Sequence, residues 1–230
     1  MDSAVERLIL IGATALLYSP GALEEQRQAA FDSILYAQLV ANKNVGSRFA
    51  EYERWYAAYL DAYSKLGWIK LAGTHDVKQL GQPLAHAQTQ PLEGWLRMRS
   101  ICQEGVLAAI RAGLGHSAEG LSHLLKFGIQ AQSQHSTLVL ELGLLKPGPT
   151  LDLCSVTMQL DKPISAISPD VLLDEAVLGG EAEFTAVSLA LNNAFFQNRR
   201  DELQALMHTK NAEGHYRFDP HALPAGAQHE

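Results

Sequence analysis

Cysteine is nearly absent from this chain, with two among 230 residues. Two thiols cannot build a disulfide framework, and without a C-x-x-C pair or a Cys/His quartet there is no structural zinc site to read from spacing. That usage fits a reducing compartment. Basic residues are also in short supply, 18 against 25 acidic ones for a net charge of −7. Nucleic-acid binding needs clustered Lys and Arg, so no nucleic-acid partner is expected. The apolar run "LILIGATALLY", Leu8 to Tyr18, is about half the length of a membrane-spanning helix. Asp2 and Glu6 do not suit the basic start of a signal peptide. The expectation is a cytoplasmic protein, or one exported without a conventional signal. No G-x-x-x-x-G-K-[ST] loop, no G-x-G-x-x-G after a strand and no H-E-x-x-H occurs. Neither cofactor nor metal is therefore expected.

What is present is apolar material, 47% of the residues, enough for a sizeable core without staples. Three helices are expected first, over about 4–17, 21–42 and 47–66, broken at "SPG" and "NVGS". Ser47 is the candidate N-cap of the third helix and Gly67 its candidate C-cap. A Gly/Pro/Gln-rich connector, 72–91, leads to two more helical segments. One has an apolar face of Trp95, Met98, Ile101, Cys102, Val106, Ala109 and Ile110, the other of Leu121, Leu124, Leu125 and Gly128.

The pattern then changes to period two. In "HSTLVLELGLLKPGPTLDLCSVTMQL", 135–160, Leu138, Leu140, Leu142 and Leu144 share one side of a strand, and Cys154, Val156, Met158 and Leu160 share one side of the next. This predicts an antiparallel hairpin. "FTAVSLAL", 184–191, is a third strand, with weaker candidates at "GWIKLAG" and "PISAIS". The chain thus reads as one α+β domain over 1–210: a helical layer (1–131) packed on a small antiparallel sheet (135–191) and a closing C-terminal helix (194–210). Residues 211–230 would be a peripheral tail.

Seven of the seventeen aromatic side chains fall within residues 41–69. Tyr52, Tyr56, Tyr59 and Tyr63 recur at helical spacing with Phe49 and Leu60, while Trp55 and Trp68 accompany them. An amphipathic stripe of this kind packs in a core, with tyrosine hydroxyls reaching the rim. The same six residues, Tyr52, Trp55, Tyr56, Tyr59, Tyr63 and Trp68, are the candidate binding surface if the stripe is instead a groove.

Catalytic candidates are fragmentary. "GLGHSAEG", 113–120, approaches the G-x-S-x-G nucleophile elbow, but Glu119 takes the second glycine position and a helical pattern precedes it. Ser117 then reads more simply as a helix N-cap. His116, Glu119 and His123 have a spacing that could hold a metal only if the helix began early enough to align them. His135 lies beside Ser133 and Ser136, where such side chains commonly satisfy backbone groups. The tail histidines His215, His221 and His229 read as solvated. Cys154 alternates with core residues and reads as a buried thiol, with modification or ligand contact as the alternative.

The string Ala37-Gln38-Leu39, Ala41-Asn42-Lys43, then Trp55-Tyr56 and Gly67-Trp68 resembles a group of small bacterial and fungal proteins that share an "AQLAANK…WY…GW" segment. The resemblance is sharp over 34–69 and implies an α+β fold, without assigning activity or site residues.

The functional expectation is a binding protein without catalysis, effector or toxin-like, acting on a protein partner or a membrane surface. In the membrane version Leu8, Ile9, Ile11, Leu16 and Leu17 insert from a detachable first helix. The alternatives are a hydrolase-like enzyme using Ser117, His116 and His135, with His123 in reserve, or a carrier of a small apolar ligand held between the aromatic helix and the sheet. A homodimer through the sheet follows if one of its faces is left uncovered.

Overall fold

The structure, a computed structural model, describes residues 7–19, 21–80, 118–160 and 180–220. Along the chain the described elements are β1 (Arg7–Ile11), β2 (Thr14–Tyr18), α1 (Glu24–Val45), α2 (Tyr52–Lys65), β3 (Trp68–Leu80), α3 (Ala118–Gly128), β4 (Ile129–Ala131), β5 (Ser136–Lys146), β6 (Thr150–Leu160), β7 (Gly180–Leu191), α4 (Asn193–Gln197), α5 (Arg200–Gly214) and β8 (Arg217–Phe218). The helix expected around Trp95 to Ile110, the "PISAIS" strand, Cys102, His116, Ser117, His221 and His229 lie outside the described residues.

The eight strands form one sheet in the order β3-β7-β6-β5-β2-β1-β8, with β4 also paired to β5. The expected hairpin is there, in the register Leu138↔Met158, Leu140↔Val156 and Leu142↔Cys154. β7 continues it antiparallel, and β3 pairs with β7. The sheet is nevertheless mixed, because β2 runs parallel to β5, Thr14 opposite Glu141 and Leu17 opposite Leu144. The expectation of a purely antiparallel sheet is corrected accordingly. The fold is α+β.

The first helix expected over 4–17 is instead the β1–β2 hairpin, with Leu8 opposite Leu17 and Ile11 opposite Thr14. The run is apolar throughout, so neither the helical nor the strand period stands out in it. Gly12, at the first of two loop positions, has φ +56°, which suits a two-residue hairpin turn. Leu8, Ile9, Ile11, Leu16 and Leu17 are all buried. They belong to strands paired on both sides and do not form a detachable amphipathic helix.

Other boundaries also move. β3 runs on to Leu80, into the segment read as connector. The closing helix is two pieces, α4 capped by the Asn192 side chain accepting from the Phe195 N–H, and α5. Part of the expected tail is structured, since α5 reaches Gly214 and β8 pairs with β1. Ser47 does not cap α2, which has Glu51 at its N-cap; the Ser47 hydroxyl accepts from the Phe49 N–H in the preceding turn. Gly67 follows the last turn of α2 with φ +92°, in the position a C-terminal glycine takes.

α1 and α2 cover one face of the sheet, and α5 packs against α1. Ala30, Ala37 and Ala41 of α1 are fully buried in the core that α1 shares with α2 and the sheet. From the sheet, Ile9, Ile11, Leu16, Leu145, Leu151, Leu153, Val187 and Leu189 point into this core. On the opposite face Leu138, Leu144, Cys154, Val156, Met158 and Phe184 are buried as well. α3 packs there against β1, β4 and β5, and a Cβ placed on its Gly128 would fall 2.3 Å from Leu140 Cδ2. Both Val139 and Leu145 on one face and the leucines on the other are thus mostly covered within the chain.

Candidate functional site

Strand alternation gives the sheet an unusual division of labour. Beneath α2, the helix-covered face carries Thr14, Glu141, Ser155, Thr157 and Thr185, while the outer face of the same strands carries Leu138, Leu140, Leu142, Cys154, Val156, Met158, Phe184 and Ala186. The tyrosines of α2 lie over these polar groups. Their spacing of three and four residues places Tyr52, Tyr56, Tyr59 and Tyr63 on one helical stripe, and their rings touch in succession, stacked, tilted and then edge-to-face, with centroids 5.6, 5.9 and 5.0 Å apart.

A directed hydrogen-bond chain converges on Glu141. The Tyr59 hydroxyl donates to Glu141 Oε1 at 2.6 Å, and the Thr14 hydroxyl donates to the same oxygen at 2.9 Å. Since Tyr59 spends its one proton on the carboxyl, the Tyr63 hydroxyl, 3.0 Å away, must be the donor to Tyr59. Gln38 Nε2 donates to Thr14 Oγ1 at 2.8 Å and to the Ile11 carbonyl at 3.0 Å. Arg48 donates to Gln38 Oε1 at 3.3 Å and lies 4.5 Å from the centre of the Trp55 ring. Trp55 is fixed in turn by its Nε1–H donating to Asn42 Oδ1 at 2.7 Å. Gly12 allows this arrangement, because a Cβ there would stand 2.1 Å from Gln38 Oε1.

Burial sets the electrostatics. Glu141 is removed from water, and this pushes its carboxyl up to about 7, against the hydrogen bonds from Tyr59 and Thr14 and the charge of Arg48. Arg48 offsets little of it, because its hydrogen bond goes to Gln38. Tyr59 and Tyr63 are held well above the ordinary phenol range by burial and then by Glu141. Tyr52 and Tyr56 are raised by burial as well. The hydroxyls of Tyr52, Tyr56 and Thr157 are buried without a well-formed bond. Between Arg48, Gln38, Thr14, Glu141, Trp55, Tyr59 and Ser155 there is a cavity of about 10 Å³. That is room for one water and too little for a fatty or aromatic ligand in this cavity.

The six aromatic candidates are therefore interior residues. Trp55, Tyr56, Tyr59, Tyr63 and Trp68 are buried and Tyr52 is half-buried. Trp68 donates through Nε1 to Ser33 Oγ at 2.9 Å. Cys154 is fully buried on the outer face, opposite Leu142 and Ala186. His135 is exposed at the β4–β5 turn beside the buried Ser136, and with Ser117 and His116 outside the described residues the hydrolase-like set is not brought together. His123 is half-buried, 5.0 Å from the Phe127 ring and 5.9 Å from that of Phe218, and burial lowers its pKa to about 4. Sequence reasoning missed Glu141, although one signal was available: a carboxylate in the middle of "TLVLELGLL" has no solvent to face if both sides of the strand are covered.

Among the described residues, two further buried carboxylates are paired. Asp152, buried on the outer face, pairs with Lys146 Nζ at 2.6 Å and accepts from the Ser188 hydroxyl. Asp32 of α1, buried, pairs with Arg217 of β8 and accepts from Gln28.

These features define the class as an α+β protein with a mixed sheet and a polar, acid-centred seam between its helical layer and that sheet. No family model matches the chain, and no curated protein matches it in sequence. Among solved structures it is similar to a delta-endotoxin, at 11% identity and a TM-score of 0.36 over 78% of this chain and 81% of that one. It is also similar to the Evf virulence factor, at 10% identity and a TM-score of 0.39 over 86% of this chain and 82% of that one. Likenesses of this degree transfer no function.

Proposed function

We propose that this chain is an effector or toxin-like protein that acts on a membrane surface through the outer face of β5, β6 and β7. The observation that carries the reading is local to the strands beneath α2, where Thr14, Glu141, Ser155, Thr157 and Thr185 lie under the helix and Leu138, Leu140, Leu142, Cys154, Val156, Met158 and Phe184 line the other side. These neighbouring strands have 11, 11 and 12 residues. A membrane-crossing strand needs about 9 to 11. Leu138 to Leu144 spans about 20 Å at a strand's rise, close to the apolar band of strands that face lipid. In the folded chain this face is packed, with α3 against Leu140, so contact with lipid requires α3 to leave.

The test is flotation of the protein with phosphatidylcholine vesicles between pH 5 and pH 8, followed by proteolysis. Association with a protected fragment spanning residues 136–191 is the expected result, and no association at any pH removes the reading. A net charge of −7 should make neutral vesicles better targets than anionic ones.

A protein partner is the second reading, supported by β3. It is the last described strand at its end of the sheet, and Ile69 and Leu71 on it are 54% and 60% exposed. Such an edge accepts an added strand. Leu71→Lys should abolish that pairing while leaving vesicle association unchanged, as read by pull-down against flotation.

A further inference from the structure

We infer that β8 is a two-sided latch: tied to Asp32 of α1 on one face of the sheet, it holds α3 down on the other, so that breaking the Asp32–Arg217 pair frees α3. The role of the latch rests on the membrane reading, because α3 is the element that has to leave before lipid reaches the outer face. Its mechanics can be tested without lipid.

Register divides the side chains of β8 between the two layers. Leu10 lies opposite Phe218 and Ile11 opposite Arg217. Paired residues project to the same face and successive ones to opposite faces. Ile11 belongs to the core beneath the helices, so Arg217 points to that side, where it pairs with the buried Asp32. Phe218 follows Leu10 to the outer face, and its ring lies 5.9 Å from that of His123 in α3. The ring of Tyr216, just before β8, stands 5.3 Å from that of Phe127, and the Tyr216 backbone accepts a hydrogen bond from His123. The Tyr216 carbonyl also accepts from the Gly12 N–H at 2.7 Å.

Both attachments are shallow. Two residue pairs join β8 to β1, and the Asn211 side chain accepts from the Arg217 N–H at 2.8 Å. A strand this short has little ladder of its own, so its seating leans on the Asp32–Arg217 pair, and losing Arg217 would leave a carboxylate buried beneath it. Among the described side chains of α3, Leu124 is buried, while His123, Leu125 and Phe127 are half-buried. Two of those three meet Tyr216 and Phe218. A helix with so few enclosed apolar groups opens ahead of the core strands. The turn into β8 is shaped for the seated position: His215 has φ +51°, and a Cβ on Gly214 would stand 2.1 Å from the Tyr216 ring.

Hydrogen exchange by mass spectrometry on the full chain tests this by comparing Arg217→Gln with Leu151→Ala, which removes a buried side chain of β6. Both variants lower global stability, and Arg217→Gln alone unties β8. In Arg217→Gln the amides of α3, on the far face from the substitution, should lose protection by roughly tenfold or more. In Leu151→Ala they should keep the wild-type value. Unchanged protection of α3 in Arg217→Gln overturns the inference, because α3 then does not depend on β8. Equal loss in the two variants also overturns it, because α3 then opens only with the whole chain. If Arg217→Gln does not fold, Phe218→Ala cuts the latch on the α3 side and must give the same selective loss. Flotation with phosphatidylcholine vesicles separates the latch from the membrane reading. Several-fold stronger association of Arg217→Gln than of the wild type is the expected result. Equal association overturns the latch as the control of the outer face, whereas no association by either protein, with α3 freed, removes the membrane reading alone.

Discussion

At the scale of single residues, Glu141 has the clearest thermodynamic consequence. Its folded pKa is raised above the usual value to about 7. The stability it contributes is thus fully present below about pH 4.5 and is lost as the pH rises through about 7. The loss amounts to about 3 kcal/mol by pH 8 for a shift of this size. Urea denaturation should show the wild type weakening between pH 5 and pH 8, and Glu141→Gln should flatten the curve and be the more stable of the two at pH 8. Gly12 makes a second residue-scale prediction. Its positive φ and the 2.1 Å approach of Gln38 Oε1 to any Cβ mean that Gly12→Ala should displace Gln38 from Thr14 and cost about 1–3 kcal/mol, read as a lowered Tm. These two positions differ in legibility. A glycine in the middle of an apolar run is visible in the sequence as punctuation, whereas the contact that makes it necessary comes from a side chain 26 positions away.

At the scale of elements, β8 is held to α1 by the buried Asp32–Arg217 pair. Burial raises the Asp32 carboxyl above its ordinary range, while Arg217 and Gln28 pull it back. Arg217→Gln would leave Asp32 buried with only the Gln28 amide, and should cost about 3 kcal/mol by chemical denaturation. Asp32→Asn combined with Arg217→Gln should recover part of this. On the outer face, Leu142 is half-buried, so Leu142→Asp should keep the far-UV circular dichroism of the wild type and lower vesicle association several-fold. The elements were unequally legible. α2 and the β5–β6 hairpin follow from periodicity, because each has one face that differs in polarity from the other, while α1 follows from the breaks at "SPG" and "NVGS" that bound it. The β1–β2 hairpin was misread because its burial on both sides erases that contrast. β8 was missed because two residues paired at a sheet edge carry no periodic signal.

At the scale of the whole molecule, the sequence by itself determined the α+β class, the paired leucine and Cys/Val/Met faces of the central hairpin, and the helical stripe of tyrosines. These are local matters, set by side-chain spacing along a helix or strand. Several residues within 34–69 have packing roles: Ala37 and Ala41 are fully buried, Asn42 is bonded to Trp55, and Gly67 ends α2 before Trp68. Only the tertiary structure decided which face of the sheet the helices cover, that β2 lies parallel to β5, and that Thr14, Gln38, Arg48, Tyr59 and Glu141 meet. Those five residues come from five separate segments, β2, α1, the α1–α2 turn, α2 and β5. Charge and hydrogen-bonding capacity are properties of each residue, but a pKa and a seam belong to the space between them, which exists only once the layers have packed.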